Sequence, residues 1–304
     1  MKKSVKVLVL LSGGLDSILA VKLLLEQGIE VEAVNFRTNF CGPAKALRAA
    51  KMLGVPLREV DIRQEFLAVL KKPKHGYGAG LNPCIDCHAL MLKKAGEIMR
   101  RENFDFVATG EVLGERPMSQ HKKALKIVER EAGLEGYLLR PLSAKLLEPT
   151  IPEKDGWVDR EKLMDISGRS RKRQIELAAR YNIKEYPTPA GGCALTQKSF
   201  TDRLQELIKN KPDFDATDAD LIKIGRHFFI NGAQIILGRN QAENEVLKNA
   251  KKEKDIFVFP VNFSGPEALV RSQESALIEE AKKLIIQFSP KLKNSVQAAQ
   301  FGIS

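Results

Sequence analysis

Long apolar runs are missing from this chain. No stretch of its 304 residues approaches the roughly 18 consecutive apolar residues that a membrane-spanning helix needs. The two lysines at the start lead into a strand-like run, with no small-residue cleavage site after it. A membrane-bound or exported protein is therefore not expected, and a cytoplasmic one is. Cysteine is scarce as well, with four at positions 41, 84, 87 and 193. In a reducing compartment four scattered thiols rarely pair as disulfides, so they raise the question of metal binding or catalysis. Internal repeats and low-complexity tracts are absent too, so no repeat architecture is expected.

Positive charge, in contrast, is plentiful. Lys and Arg number 49 against 38 Asp and Glu, a formal net charge of +11, which favours a polyanionic partner such as nucleic acid. The basic residues cluster in GRSRKRQ (168–174), KNAKKEK (248–254) and SPKLK (289–293). Any one of these clusters alone reads as a solvated face.

Apolar periodicity predicts alternating strands and helices through the first half. Strands are expected at Lys3–Leu11, Val31–Phe36, Leu57–Asp61 and Phe104–Thr109, with helices at Ile18–Gln27, Ala44–Leu53 and Ala89–Glu102. Such alternation means right-handed crossovers and a parallel sheet with helices on both faces, an α/β fold that binds ligands beyond the carboxyl ends of its strands. From Pro149 to Pro189 the alternation fades, apart from a helix over Arg169–Tyr181. Beyond Asp215 the stretch RHFFI-NG-AQIIL is a hairpin signature, because Asn231-Gly232 suits the left-handed turn that joins such strands. A helix at Gln241–Ala250, a strand at Ile256–Val261 and a long helix at Pro266–Phe288 complete a smaller α+β unit. The expected division is 1–150, a connector over 151–212, and 213–304.

Two features carry chemistry. The first is LLSGGLDSILAVKLL (10–24), a strand that breaks at two glycines and resumes as a helix. A strand-to-helix turn exposes unpaired amides at the positive end of the helix, an anion site. Gly13 and Gly14 let backbone approach the anion, Ser12 and Ser17 offer hydroxyls, and Asp16 is suited to Mg²⁺. No Gly-Lys-Ser/Thr follows, so this is not a Walker loop. The alternative is an ordinary tight turn with a capping Asp.

The second is the set of cysteines in NPCIDCHALML and PAGGCAL. Cys84 and Cys87 stand three apart at a helix start, where amide dipoles are expected to lower their pKa and favour thiolate. Cys193 follows a Gly-Gly pair. Three readings stay open: a zinc site completed by Cys41, His75, His88, His121 or His227; a redox or persulfide pair; and a 4Fe-4S cluster on Cys84, Cys87 and Cys193 with one iron left open.

Ser-Gly-Gly-Leu-Asp-Ser at the end of a first strand resembles the PP-loop of the ATP pyrophosphatases, which adenylate a substrate oxygen. With NPCIDC, TGEVLGERPMSQ, LLRPLSAKLL and SGRSRK in that order, residues 5 to about 200 are similar to the short bacterial tRNA 4-thiouridine synthetase-like proteins. They resemble more distantly the tRNA 2-thiouridylases of the wobble position. The resemblance implies ATP-dependent tRNA thiolation with ATP and Mg²⁺. In those families the cysteines ligate a 4Fe-4S cluster or act as nucleophile and persulfide carrier. Catalytic roles are thereby implied for Asp16, Cys87 and Cys193, and a ligand role for Cys84. The sulfur donor would be free sulfide or a cysteine desulfurase.

Longer 4-thiouridine synthetases carry an RNA-binding region before the PP-loop; here the RNA surface is expected after the catalytic domain. GAQIILGRNQAENEVL (232–247) resembles the NFACT-R type of RNA-binding domain, the alternative being a small dimerisation module, so a homodimer is among the expected assemblies. Arg169, Arg171, Lys172, Arg173, Arg226 and Arg239 are expected at RNA phosphates, and Phe36, Thr109 and Gly110 at the nucleotide. An adenylating amidotransferase or ligase acting on a small molecule is the competing enzyme class, and it leaves the cysteines unexplained.

Overall fold

The Val/Leu run KVLVL forms the central strand of a parallel sheet, as a strand covered on both faces must be apolar along its whole length. Residues 4–187, 193–289 and 299–304 are described by the structure, a computed structural model. The chain divides into two compact units, residues 1–196 and 197–304.

The first unit runs β1 (Lys6–Leu10), α1 (Leu15–Leu25), β2 (Glu30–Arg37), α2 (Ala44–Leu53), β3 (Leu57–Asp61), α3 (Arg63–Lys71), α4 (Cys84–Arg101), β4 (Phe106–Thr109), α5 (Lys122–Glu131), β5 (Leu138–Leu139), α6 (Ile151–Lys154) and α7 (Lys172–Arg180). Its five strands lie in the order β3-β2-β1-β4-β5 and every neighbouring pair is parallel. Leu10 stands opposite both Val34 and Thr109, so β1 and β4 end level while β2 runs on past them to Arg37.

Side chains alternate across β1. Val7 and Val9 pack into one apolar layer with Leu19, Leu24 and Ala50, and Leu8 packs into the other with Leu92, Ile98 and Val107. Each fully buried aliphatic of this kind contributes roughly 1.5–3 kcal/mol. Helix α1 is apolar nearly all round, with eight buried residues, since α2 and α7 cover it as well as the sheet. The stretch 151–196 thus lies in the first unit, and 197–212 in the second.

The second unit contains α8 (Lys198–Asn210), α9 (Ala216–Leu221), β6 (Arg226–Ile230), β7 (Ala233–Leu237), α10 (Gln241–Asn249), β8 (Ile256–Pro260), β9 (Ala268–Val270), α11 (Ser275–Gln287) and β10 (Phe301–Ile303). Its sheet is antiparallel in the order β10-β8-β9-β7-β6. The β6–β7 hairpin turns at Asn231 and Gly232, both with positive φ, as the Asn-Gly pair predicts. One face packs on Leu277, Ala281 and Ile285 of α11, the other on Leu221 and Leu247.

Several sequence expectations need correction. The expected helix at Pro266–Phe288 is a strand, β9, followed by a helix that starts only at Ser275. Ala-Leu-Val pairs with both β7 and β8, and tertiary pairing overrides the helical pattern there. Helix α1 begins three residues before Ile18, which puts Asp16 and Ser17 in its first turn. Helix α4 begins at Cys84 rather than Ala89, so the cysteine pair sits on the helix itself. The turn PAGG (189–192) and most of SPKLK lie outside the described residues.

Candidate active site

The carboxyl ends of β1, β2 and β4 open into a cavity of about 330 Å³. Its floor is the turn between β1 and α1. Gly13 holds φ +76°, and a Cβ there would lie 2.4 Å from the Lys45 backbone, so only glycine fits. Gly110, just past β4, has the same constraint: a Cβ would lie 2.5 Å from the Ser17 amide nitrogen. The turn after β1 is thereby pressed against the start of α2, and the end of β4 against the start of α1.

Within the turn the Gly14 amide donates to Ser12 Oγ at 3.2 Å, and Ser17 Oγ donates to the Gly14 carbonyl at 2.9 Å. The first-turn amides of α1 have no acceptor within the helix and present a positive end to the cavity. Ser12, Gly14, Asp16, Ser17, Thr109 and Gly110 all line it. Phe36 and Thr38 line it from β2 and beyond, and Gly13 faces a separate cavity of about 390 Å³ beside Lys45 and Arg48.

Asp16 fits a cation. Burial pushes its carboxyl up, and Arg171 opposes the shift only in part; the guanidinium stands 3.9 Å away. Its Oδ1 is buried without a partner. Glu115 beside it is raised too, by burial and by the Asp16 charge. A magnesium ion carried in on phosphates needs only one or two protein carboxylates, and this pair supplies them. Arg171 therefore faces the nucleotide side, while Arg169, Lys172 and Arg173 are exposed, with Arg173 paired to Asp165 at 2.6 Å.

The thiols converge. Cys87, Cys193 and Cys41 line the same cavity as Asp16, and Cys84 is close enough to repel charge on both Cys87 and Cys193. Their pKa values run opposite to the expected direction. Burial pushes the Cys87 thiol well up, with Cys193, Cys84 and Cys41 adding to the effect. Cys193 is raised by burial to about 11, and Cys84 is raised by burial against the pull of Arg116. Desolvation and mutual repulsion outweigh the helix amides.

Among the described residues no three His, Cys, Asp or Glu side chains are arranged to hold a metal ion, and the thiols as they stand favour the protonated form. Three of the histidines are engaged elsewhere, His75 with Glu131 at 2.8 Å, His121 capping α5, and His227 with the Ile224 carbonyl, while His88 lines the cavity with the thiols.

Sequence reasoning missed a buried charge network on one wall. Glu111 receives Arg140 Nε at 2.9 Å and faces His88 Nδ1 at 2.8 Å, and Arg140 also reaches Glu129 at 3.0 Å. Burial alone would raise Glu111, yet the Arg140 charge and His88 hold it down at about 2. An ionised carboxylate only accepts, so His88 Nδ1 donates and Nε2 is the ring nitrogen left for the cavity. The signal lay in TGEVLGE and LLRPLS, where a strand-end glutamate and a following arginine occur in apolar surroundings. Asn35, also on the cavity wall, was missed because a lone strand asparagine carries no motif.

In the second unit Arg226 and Arg239 are exposed. Arg226 stacks 4.8 Å from the Phe288 ring centre, and Arg239 pairs with Glu243.

The geometry defines a class: an α/β nucleotide-site unit with thiols in its cleft, followed by a small α+β unit. Comparison gives the particular families. Residues 3–145 match the family model described as thiamine biosynthesis protein (ThiI), and residues 225–300 match the NFACT protein RNA binding domain. The tRNA-specific 2-thiouridylase MnmA 1 of Syntrophus aciditrophicus (strain SB) is 31% identical over 224 residues, 66% of this chain and 55% of that protein. The MnmA of Sulfurimonas denitrificans is 24% identical over 281 residues, covering 82% and 77%. The chain thus spans little more than half of the first of these relatives. A 4-thiouridine synthetase in an RNA complex with bound ATP is 20% identical, covers 72% of this chain and 54% of its own, and superposes with a TM-score of 0.41, too loose to argue from. No helix among the described residues is long and apolar enough to cross a membrane.

Proposed function

We propose that this chain is an ATP-dependent tRNA sulfurtransferase of the cytoplasm, which adenylates a uridine carbonyl oxygen and replaces it with sulfur. One observation carries the reading: the glycine turn with Asp16 and the thiols of Cys87 and Cys193 line a single cavity. An amidotransferase acting on a small molecule has no use for those thiols.

The first-turn amides of α1, with Ser12, Gly14 and Ser17, would hold the phosphates, Gly13 shaping the turn behind them, and Phe36, Thr109 and Gly110 would bound the nucleotide. Mg²⁺ on Asp16 supplies charge neutralisation as the α-phosphate is attacked. The uridine oxygen bonds to the α-phosphorus, pyrophosphate leaves, and the ring nitrogen gives up its proton. Cys193, exposed like Cys41 although its thiol is partly desolvated, is the carrier, loaded as a persulfide by a cysteine desulfurase. Its terminal sulfur attacks the activated ring carbon and AMP departs with the oxygen. Cys87 then attacks Cys193 Sγ; the bond to the transferred sulfur breaks and the ring nitrogen recovers a proton. A Cys87–Cys193 disulfide remains, for a thiol reductant to reopen. A base must leave its stack to be modified. The exposed Arg169, Lys172, Arg173, Arg226 and Arg239 would grip the RNA while it does.

The test is nucleoside mass analysis of tRNA incubated with protein, ATP and a sulfur donor. Asp16→Ala should lower thiouridine formation at least about a hundredfold with the melting temperature retained; full activity in that variant overturns the reading. The product separates two versions of it, since the resemblance to the short 4-thiouridine synthetase-like proteins favours 4-thiouridine whereas the MnmA relatives favour 2-thiouridine. Sulfane sulfur on Cys193 of the loaded protein supports the persulfide route. Stoichiometric iron and acid-labile sulfide in anaerobically purified protein would instead restore the 4Fe-4S cluster on Cys84, Cys87 and Cys193.

A further inference from the structure

Asn35 sits on β2 at 7% exposure, where β1 gives way to the glycine turn. Its side chain has a fixed orientation. Nδ2 donates to the Leu11 carbonyl at 2.8 Å, and a carbonyl can only accept, so the amide cannot be flipped. The backbone agrees, since the Leu11 amide donates to Val34 at 2.9 Å, which fixes that strand end against β2. Asn35 Oδ1 consequently points away from Leu11, is buried, and has no partner, although the residue lines the cavity. A buried acceptor left unmatched is costly and rare in folded proteins. Beside an open cavity it calls for a donor from the ligand.

The chemistry of the ligand narrows that donor. Triphosphate oxygens only accept at neutral pH, and the turn amides and serines that face them all donate. The donor for Asn35 must therefore come from the nucleoside half. Neighbouring strands lie about 4.8 Å apart, so Asn35 stands one strand over from the phosphate turn. The cavity wall on the opposite face of β2, where Val34 and Phe36 point, is apolar and partly aromatic. Val34, Phe36, Phe40 and Phe66 line the same cavity, and the Phe40 and Phe66 rings meet edge to face at 5.7 Å. Such a wall suits a flat base better than a ribose.

We propose that Asn35 selects adenine, its Oδ1 accepting a hydrogen bond from the exocyclic amino group of the base. The inference rests on the ATP reading above and names the residue that gives it base specificity. Guanine and hypoxanthine present a carbonyl oxygen at that position and would set two acceptors against each other. Asn35 is at the same time the strut that holds the strand end, which explains why an asparagine serves here and an aspartate would not.

The experiment measures nucleotide binding to the full chain with Mg²⁺ and without RNA, by equilibrium dialysis. The nucleotides are ATP, purine riboside triphosphate, which lacks only the amino group, and the 2′- and 3′-deoxy forms of ATP. Wild type should bind the deamino nucleotide about 10–100-fold more weakly than ATP and the deoxy forms within about threefold. Asn35→Ala should bind ATP and the deamino nucleotide equally, near the weaker value. Equal binding of those two by wild type overturns the proposal, as does discrimination that survives in Asn35→Ala. A loss confined to the deoxy forms overturns it by moving the donor to the ribose. Should the variant not fold, the wild-type comparison alone decides. A chain that selects ATP in this way but thiolates no uridine fails the sulfur-transfer reading and still supports Asn35. One that thiolates with either nucleotide does the reverse.

Discussion

At Cys193 the thiol is raised to about 11 by burial, with Cys41 and Cys84 adding their repulsion. A raised thiol pKa means little thiolate at neutral pH, and the thiolate is the reactive form. The alkylation rate of Cys193 with iodoacetamide, followed by peptide mass mapping, should therefore climb about tenfold per pH unit from neutrality and level off only near 11. An ordinary thiol levels off near about 8.5, and that outcome would reject the buried cluster. The same environment makes chemical sense for a carrier, since a thiol that stays protonated until a donor docks is protected from adventitious oxidation. Cysteine spacing in the sequence pointed to Cys84 and Cys87 but gave the wrong sign for their pKa. A helix-start position is local, whereas desolvation is a property of everything packed around the sulfur.

Elements carry the site through their ends. The close approach of β4 to α1 exists because residue 110 has no side chain: a Cβ there would press on the Ser17 amide and the Asp16 carbonyl carbon. Gly110→Ala must push backbone against backbone and should cost about 1–3 kcal/mol, read as a lowered midpoint in urea. It should also weaken ATP binding at least about tenfold, because the first-turn amides of α1 move with the strand. Unchanged binding would show that the phosphates sit elsewhere. The turn, the β2 and β3 strands and the β6–β7 hairpin were legible in the sequence, each having a dense local signal in apolar runs, paired glycines or Asn-Gly. The Pro266–Val270 stretch was not. Its three strand residues obey no short-range rule, and they are held as β9 by partners on both sides.

Taken whole, the chain has a net charge of +11, which is what an RNA-handling chain would carry. Phosphate contacts should appear as salt-dependent affinity. Arg226→Gln with Arg239→Gln is expected to weaken tRNA binding severalfold and to lower the slope of log affinity against log salt by about one per arginine, leaving ATP binding intact. An unaltered slope would remove this face from the RNA interface.

The amino-acid sequence by itself determined the alternation that makes a parallel sheet, the glycine turn at its central strand, the smaller unit at the end and the identity of the thiols. All of these are written in patterns a few residues long. Tertiary structure alone decided that Cys41, Cys84, Cys87 and Cys193 converge on one another beside the nucleotide turn, that Glu111 is ionised between Arg140 and His88, and that Asn35 is left with an acceptor to fill. Convergence, desolvation and unmet hydrogen bonds belong to residues far apart along the chain, and they come into existence only when the sheet and its helices close around the cavity.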